Sequence, residues 1–92
     1  MNGLRFLRMP EVCDRRGLSR PTLYRHIADG VFPPPVKLGA KASGWPEHEV
    51  EAITDAVSGG ATAEQLRELV SSLMAERQQR AEVVLNRAAT RT

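Results

Sequence analysis

The segment GLSRPTLYRHIADGVFP, residues 17–33, concentrates side chains that donate hydrogen bonds to phosphate oxygens and to base edges. Arginine donates two hydrogen bonds to guanine or binds a phosphate, and hydroxyl groups donate to phosphate oxygens. Leu23 and Ile27 are four residues apart and predict the buried face of a helix, which turns the donors outward at about 100° per residue. An ordinary solvated helix face is the alternative. The outward donors are candidate DNA contacts: Ser19, Arg20, Thr22, Tyr24 and Arg25.

Two short helices with a tight turn between them are predicted to position these donors. Pro10 suits the first turn of a helix over about 9–16, and Gly17 suits the left-handed residue that ends it. Ser19 is the predicted N-cap of a second helix that begins at about residue 20 and that Gly30 ends. Helices joined in this way by a Gly-Leu-Ser turn are typical of a helix-turn-helix.

A two-stranded β wing is predicted directly after the second helix. The run Phe-Pro-Pro-Pro at 32–35 excludes helix, residues 36–38 alternate as a strand, and residues 39–44 form a turn. Lys37 and Lys41 lie on this wing and are candidate contacts to the DNA backbone or minor groove. A small domain with few aromatic residues needs its rings for burial, so three are predicted in the core: Phe6, Phe32 and Trp45.

Two further helices are predicted to complete the chain. Pro46 opens the first, and the Gly-Gly at 59–60 ends it; its predicted core stripe is Val50, Ile53 and Val57. Thr62 and Gln65 form a capping box for a long helix over about 62–89. Its apolar stripe is interrupted by polar residues at 76–80 and comprises Leu66, Leu69, Val70, Leu73 and Met74, then Val83, Val84, Leu85 and Ala88.

The charges are unevenly distributed along the chain. Residues 1–44 carry eight basic and three acidic side chains, whereas residues 45–61 carry four acidic and no basic ones. Residues 62–92 carry five basic and four acidic side chains. A basic first half in a chain of net charge +2 favours a surface that faces a polyanion, with the acidic third helix on the opposite side. A chance scatter of charges is the alternative.

Other chemistries have little support in the residue pattern. Cys13, His26 and His48 are the soft or imidazole candidates for a metal, and no pair has finger-like spacing. His26 is expected to lie at the surface or to face a phosphate. The sequence contains no glycine-rich phosphate loop, nucleophile elbow or paired-acid constellation. We therefore expect a protein that is not an enzyme and that has no metal and no cofactor.

The length and the cysteine content bear on the compartment and the domain count. Ninety-two residues make one domain, or a small domain with an appendage. A single cysteine fits a reducing compartment, no apolar run is long enough to span a membrane, and the N-terminal segment lacks the apolar core of a secretory signal. We expect a cytoplasmic protein.

Residues 5–57 resemble the AlpA family of small phage and prophage regulators, relatives of excisionases and of the winged-helix heads of MerR-type activators. The motifs that carry the resemblance are the Leu-Ser turn, Tyr-Arg, Gly-x-Phe-Pro, Val-Lys-Leu-Gly, and Gly-Trp before a Glu-rich helix. The resemblance implies a mainly α protein with a small β wing, namely a winged helix-turn-helix followed by a long C-terminal helix. It implies a recognition helix at about 20–29 in the major groove and a wing at 36–45 on the backbone. It also implies a bacterial protein that associates with the nucleoid. Ala28 and Asp29 replace a more basic helix end, which predicts fewer phosphate contacts there.

Three hypotheses for function follow, and they differ in the role of the C-terminal helix. The first is a transcription regulator that binds double-stranded DNA as a homodimer or higher oligomer, with residues 1–60 as the DNA-binding domain and 61–92 as the extension. The second is an excisionase-like factor that bends DNA and recruits an integrase, and the third is a protein adaptor without DNA binding. The extension either self-associates, folds back on the winged domain, or binds another protein such as an integrase or RNA polymerase. The candidate oligomerisation residues are Leu66, Leu69, Leu73, Val84 and Leu85.

Overall fold

The computed structural model describes residues 5–90, which form four helices and a three-stranded antiparallel sheet. Mainly helical structure with a small wing and a long last helix confirms the predicted fold class. Within the described residues, no helix is both long enough and apolar enough to cross a bilayer. The elements in chain order are β1 Phe6–Leu7, α1 Met9–Arg16, α2 Arg20–Ala28, β2 Val36–Gly39, β3 Ala42–Pro46, α3 Glu47–Ser58 and α4 Ala63–Thr90.

The turn between α1 and α2 forms as its residue types predict. Gly17 has φ of +66°, a left-handed conformation that glycine adopts without a side-chain penalty. The amides of Gly17 and Leu18 donate to the last carbonyls of α1 at 3.2 and 3.0 Å. Ser19 then caps α2, since its Oγ accepts from the amide of Thr22 at 3.4 Å. These contacts confirm the predicted helix-turn-helix and fix the direction in which α2 leaves the turn.

The wing is part of a sheet in which β3 lies between β1 and β2. Phe6–Leu7 forms the short strand β1, with Leu7 opposite Trp45. Val36 lies opposite Gly44 on the other side of β3. Because β3 begins at Ala42, the wing turn is tighter than the predicted 39–44.

One apolar core joins every element except β2. Its buried members are Leu7, Val12, Leu23, Phe32, Trp45, Val50, Ile53, Val70 and Leu73. Trp45 is only 1% exposed, and its indole N–H donates to the carbonyl of Pro33 at 2.8 Å. The core roles of Trp45 and Phe32 are thus confirmed, and this hydrogen bond ties the proline run to the wing.

Two predicted core residues are exposed instead. Phe6 is 37% exposed, because strand alternation places it on the outer face of the sheet while Leu7 enters the core. Val57 is 43% exposed, since it lies in the last turn of α3, where the chain reverses through Gly59 and Gly60. Helical periodicity predicted Val57 in the core and the scarcity of aromatic residues predicted Phe6 there, and neither argument shows where the covering elements end.

Helix α4 packs its first half against the winged domain. The capping box forms as predicted: the Thr62 amide donates to Gln65 Oε1 at 2.9 Å, and the Gln65 amide donates to Thr62 Oγ1 at 3.1 Å. Val70 and Leu73 enter the core, and Arg67 Nε donates to the Asp29 carbonyl at the end of α2 at 2.9 Å. The polar residues at 76–80 do not interrupt the helix. The first half of α4 therefore packs on the core and contacts the carboxyl end of α2.

Candidate nucleic-acid interface

The outer face of α2 carries the donors that the sequence predicts. Leu23 is fully buried and Ile27 packs against the core, so the opposite face is left to solvent. Tyr24 is 56% exposed, and the side chains of Arg20 and Arg25 are exposed as well. This arrangement presents two guanidinium groups and a phenol hydroxyl along a helix of nine residues.

Ser19 and Thr22 are bound to each other at the start of α2. The Ser19 hydroxyl donates to Thr22 Oγ1 at 3.0 Å, in addition to accepting from the Thr22 amide. Thr22 is half-buried, and Ser19 is exposed. Their role as DNA contacts stays a prediction, and in this structure both hydroxyls take part in the helix cap.

The arginines divide into those with intramolecular partners and those without. Arg5 and Arg15 both pair with Glu11 and Glu47, at N–O distances between 2.9 and 3.4 Å. Arg16 lies over the ring of Phe32, with its guanidinium carbon 5.6 Å from the ring centre. Within residues 5–90, four arginines of the basic half make no side-chain hydrogen bond or ion pair; Arg16, with its ring contact, is one, and three are exposed: Arg8, Arg20 and Arg25. These three have their full hydrogen-bonding capacity free for a ligand.

The paired arginines show the effect of their surroundings on the pKa. The hydrogen bond that Arg15 donates to the Glu47 carboxylate raises the pKa of Arg15 above its ordinary value, with a smaller contribution from Glu11. Burial lowers the pKa of Arg16, whose Nε has no hydrogen-bond partner among the described residues. Both groups serve the packing of α1 against neighbouring elements, so they are poor candidates for contact with DNA.

The wing places its two lysines in solvent. Lys41 lies in the turn between β2 and β3, and Lys37 lies opposite Ser43 in the ladder. Directly paired residues in an antiparallel ladder share a face of the sheet, so Lys37 and Ser43 project on the same side. Neither lysine makes a side-chain hydrogen bond or ion pair with another residue in the described range.

A cleft of about 460 Å³ separates α2 from the wing. Tyr24 lines it from α2, and Lys41 and Ser43 line it from the wing. Arg8 lines it from the amino end of α1. Sequence reasoning found Tyr24 and Lys41 and missed Arg8 and Ser43. Arg8 stood in the basic half of the sequence, but no motif assigned it to the same surface as the wing.

Histidine and cysteine contribute little to this surface. His26 is half-buried on α2, and its Nδ1 is buried without a hydrogen-bond partner among residues 5–90, so it is less exposed than the sequence suggested. The part of the chain that the structure describes contains no cluster of three or more His, Cys, Asp or Glu side chains able to hold a metal ion.

Comparison of the chain with known proteins identifies a family for the part that carries this surface. Residues 5–53, just over half of the chain, match the family described as prophage CP4-57 regulatory protein (AlpA). The chain belongs to the AlpA family. It is also similar to the uncharacterized protein ORF88 of Enterobacteria phage P4, with 54% identity over 48 residues. That match covers 52% of this chain and 54% of ORF88, so the chain spans about half the length of this curated relative. No solved structure matches the chain.

The AlpA match contains the whole candidate DNA surface and excludes α4. Residues 5–53 include Arg8, all of α2 and both wing lysines, whereas α4 begins ten residues beyond the end of the match. The family resemblance predicted from the motifs is therefore confirmed for the winged domain. The role of α4 has to be argued from its own contacts.

The five residues predicted for oligomerisation lie in two different environments. Leu73 is 5% exposed in the core, and Leu66 and Leu69 pack against that core. Val84 and Leu85 are 57% and 66% exposed. A mainly apolar groove, which we call the distal groove, runs between this part of α4 and the outer face of the sheet. Its apolar lining is Phe6, Val36, Pro46, Ala81, Val84 and Leu85, and Arg77 and Arg80 line it as well.

Proposed function

We propose that this AlpA-family protein is a sequence-selective DNA-binding regulator of transcription, of phage or mobile-element type. The observation that carries the proposal is the pair of unpartnered arginines, Arg20 and Arg25, on the exposed face of α2. The second helix of a helix-turn-helix enters the major groove with its amino-terminal residues nearest the bases. Arg20 occupies the first position of α2 and Arg25 the sixth.

Recognition would use two kinds of contact, one made by α2 and one made by the wing with the DNA backbone. Arg20 and Arg25 are positioned to fork onto guanine or onto phosphate, and Tyr24 to donate to a phosphate oxygen. Lys37 and Lys41 bring the wing to the adjacent backbone, where positive charge releases counterions. Two carboxylates beside α1 are neutralised, because Glu11 and Glu47 are paired with Arg5 and Arg15, whereas the exposed Asp29 at the end of α2 is in none of these pairs.

Selection of bound duplexes from a random DNA pool tests this proposal. We expect the full chain to enrich one motif at moderate salt, and we expect the Arg20→Ala, Arg25→Ala double variant to lose that enrichment. Each good base contact contributes about 1–3 kcal/mol of discrimination. The control is Glu51→Gln, which changes one charge at an exposed site on α3, outside both the cleft and the distal groove. A double variant that selects the same motif as the unaltered chain would mean that other residues read the bases, and no DNA binding by the unaltered chain would favour a protein adaptor.

A homodimer that reads two half-sites extends the same proposal. A single helix-turn-helix contacts few base pairs, and two linked copies gain both specificity and affinity. The exposed apolar side chains of α4 lie outside the AlpA match and contribute nothing to the described core. A basic and an acidic side chain flank them, Arg80 and Glu82, so opposite charges on two copies of this segment can pair. A repeated half-site in the selected motif is the expected signature.

A recombination accessory factor is the second candidate function. The distal groove favours it, since an apolar surface beside a DNA-binding head fits an integrase or RNA polymerase as partner. DNA bending separates the two candidates. A site that stays straight when the protein binds supports the transcription regulator, whereas a strong bend together with integrase-dependent recombination supports the accessory factor.

A further inference from the structure

The cleft between α2 and the wing has a set of donors that the recognition of bases does not use. Arg8, Tyr24, Lys41 and Ser43 line it from three separate elements. Together they present a guanidinium, an ammonium and two hydroxyl groups. No carboxylate of the described residues lines the cleft. A cavity lined by cationic and hydroxyl donors, without an acidic group, suits an anion.

Arg8 differs from its neighbour Arg5 in a way that points to a ligand. Arg5 is held by Glu11 and Glu47, whereas Arg8 makes no side-chain hydrogen bond or ion pair within residues 5–90. Arg8 is also the N-cap residue of α1, where no side chain accepts from the amides of the first turn. The positive end of the helix dipole therefore adds to the charge of Arg8 on this side of the cleft.

The acidic residue of the same helix turn does not cancel this charge. Glu11 accepts from Arg5 at 3.4 Å and from Arg15 at 3.3 Å, so its carboxylate is already paired on the side of α1 that these arginines occupy. Lys41 on the opposite wall is exposed and unpartnered within the described residues. The two walls of the cleft thus each contribute one free cation.

We propose that this cleft binds one phosphodiester group of the DNA backbone, with Arg8 and Lys41 on either side of it and with Tyr24 and Ser43 as further donors. The proposal rests on the proposed DNA binding and adds Arg8 and Ser43 to the interface. A phosphate held there touches α1, α2 and the wing at once, so it fixes the orientation of the recognition helix relative to the wing. It reads no base, because every donor acts on the backbone.

Salt dependence distinguishes a phosphate contact from a base contact. For Arg8→Ala we expect about tenfold weaker binding to the selected duplex, as for the loss of a charged hydrogen bond. We expect the same fold loss on a shuffled duplex, because the contact is independent of sequence. The slope of log K against log salt should fall in magnitude by about 0.9. Arg8→Lys keeps the charge and should restore the slope.

Two controls make the result decisive. Glu51→Gln changes one charge at an exposed site on α3, which does not line the cleft, and should leave both affinity and slope unchanged; circular dichroism of each variant checks its fold. Tight binding by the unaltered chain with an unchanged slope in Arg8→Ala would overturn the phosphate site and leave the proposed function standing. A loss confined to the selected duplex would make Arg8 a base-reading residue and also overturn it. No DNA binding by the unaltered chain would overturn both proposals.

Discussion

Glu49 is the buried acidic residue of the core region, and a single arginine satisfies it. Its side chain is 1% exposed, and Arg77 donates to its two oxygens from Nε at 2.9 Å and from Nη2 at 2.6 Å. The same Nη2 donates to the Pro34 carbonyl at 2.8 Å. A planar guanidinium is suited to this two-point contact, which an ammonium cannot reproduce. Arg77 thereby joins α4 to α3 and to the segment that leads into the wing.

Arg77→Ala is expected to lower the free energy of unfolding by about 3 kcal/mol, because it leaves the Glu49 carboxylate buried without a partner. Urea denaturation of the full chain measures this change. Arg77→Lys should lower the free energy of unfolding by less, because it keeps the positive charge and loses only the two-point hydrogen bond. Arg80→Ala, three residues on and exposed, should stay within about 0.5 kcal/mol of the unaltered protein. Equal midpoints for the Arg77 and Arg80 variants would mean that the pair does not stabilise the fold.

The central strand of the sheet requires a glycine at one position. A methyl group on Gly44 would lie 2.9 Å from the carbonyl oxygen of Leu7 and 2.9 Å from Leu38 Cδ1. The Leu38 side chain can move, but the Leu7 carbonyl belongs to the neighbouring strand β1. The close approach of β1 to β3, and hence the attachment of the wing to the core, depends on the missing side chain.

Gly44→Ala is expected to destabilise the protein by about 1–3 kcal/mol, the range for overpacking a well-packed site. Gly39→Ala is the matched control in the same wing, because nothing lies within 4 Å of its added methyl group. Thermal unfolding of both variants makes the comparison. If the two variants unfold at the same temperature, β1 and β3 can separate at no cost and the wing is held by other contacts.

Sequence reasoning succeeded for elements whose ends are marked by local chemistry. Pro10 and Gly17 bounded α1, Ser19 capped α2, and Thr62 with Gln65 opened α4, because caps and turns depend on neighbours within a few residues. It failed where distant segments meet. The polar stretch at 76–80 looked like an interruption, and its Arg77 instead pairs with a residue 28 positions away. Arg8 could not be assigned to the cleft for the same reason, since the other wall comes from the wing.

At the scale of the whole molecule, α4 sets the shape. A helix of 28 residues is about 42 Å long at 1.5 Å per residue, close to the 47 Å long axis of the molecule. Its first half completes the core through Val70 and Leu73, which agrees with the fold-back hypothesis for that part. Its second half leaves Val84 and Leu85 exposed beside the distal groove. Self-association of this second half stays a prediction, and its contacts allow a test that separates it from folding.

Val84→Glu together with Leu85→Glu is expected to abolish self-association without lowering the free energy of unfolding of the protomer. Both side chains are more than half exposed, so new charges there cost little within one copy, whereas an apolar contact between copies excludes them. Sedimentation equilibrium should give a dimer for the unaltered chain and a monomer for the variant. On a duplex with two half-sites, the variant should bind more weakly than the unaltered chain and without cooperativity, because its copies no longer bind as a unit.

Leu73→Ala is the matched control, because it shortens an apolar side chain of the same helix on the core side. It should lower the free energy of unfolding by about 2–5 kcal/mol through the cavity it leaves, in contrast to the distal double variant. A monomer for the unaltered chain at every concentration tested would contradict the dimer. The exposed residues of α4 would then have to meet a different protein, and the half-site argument for specificity would no longer apply to this chain alone.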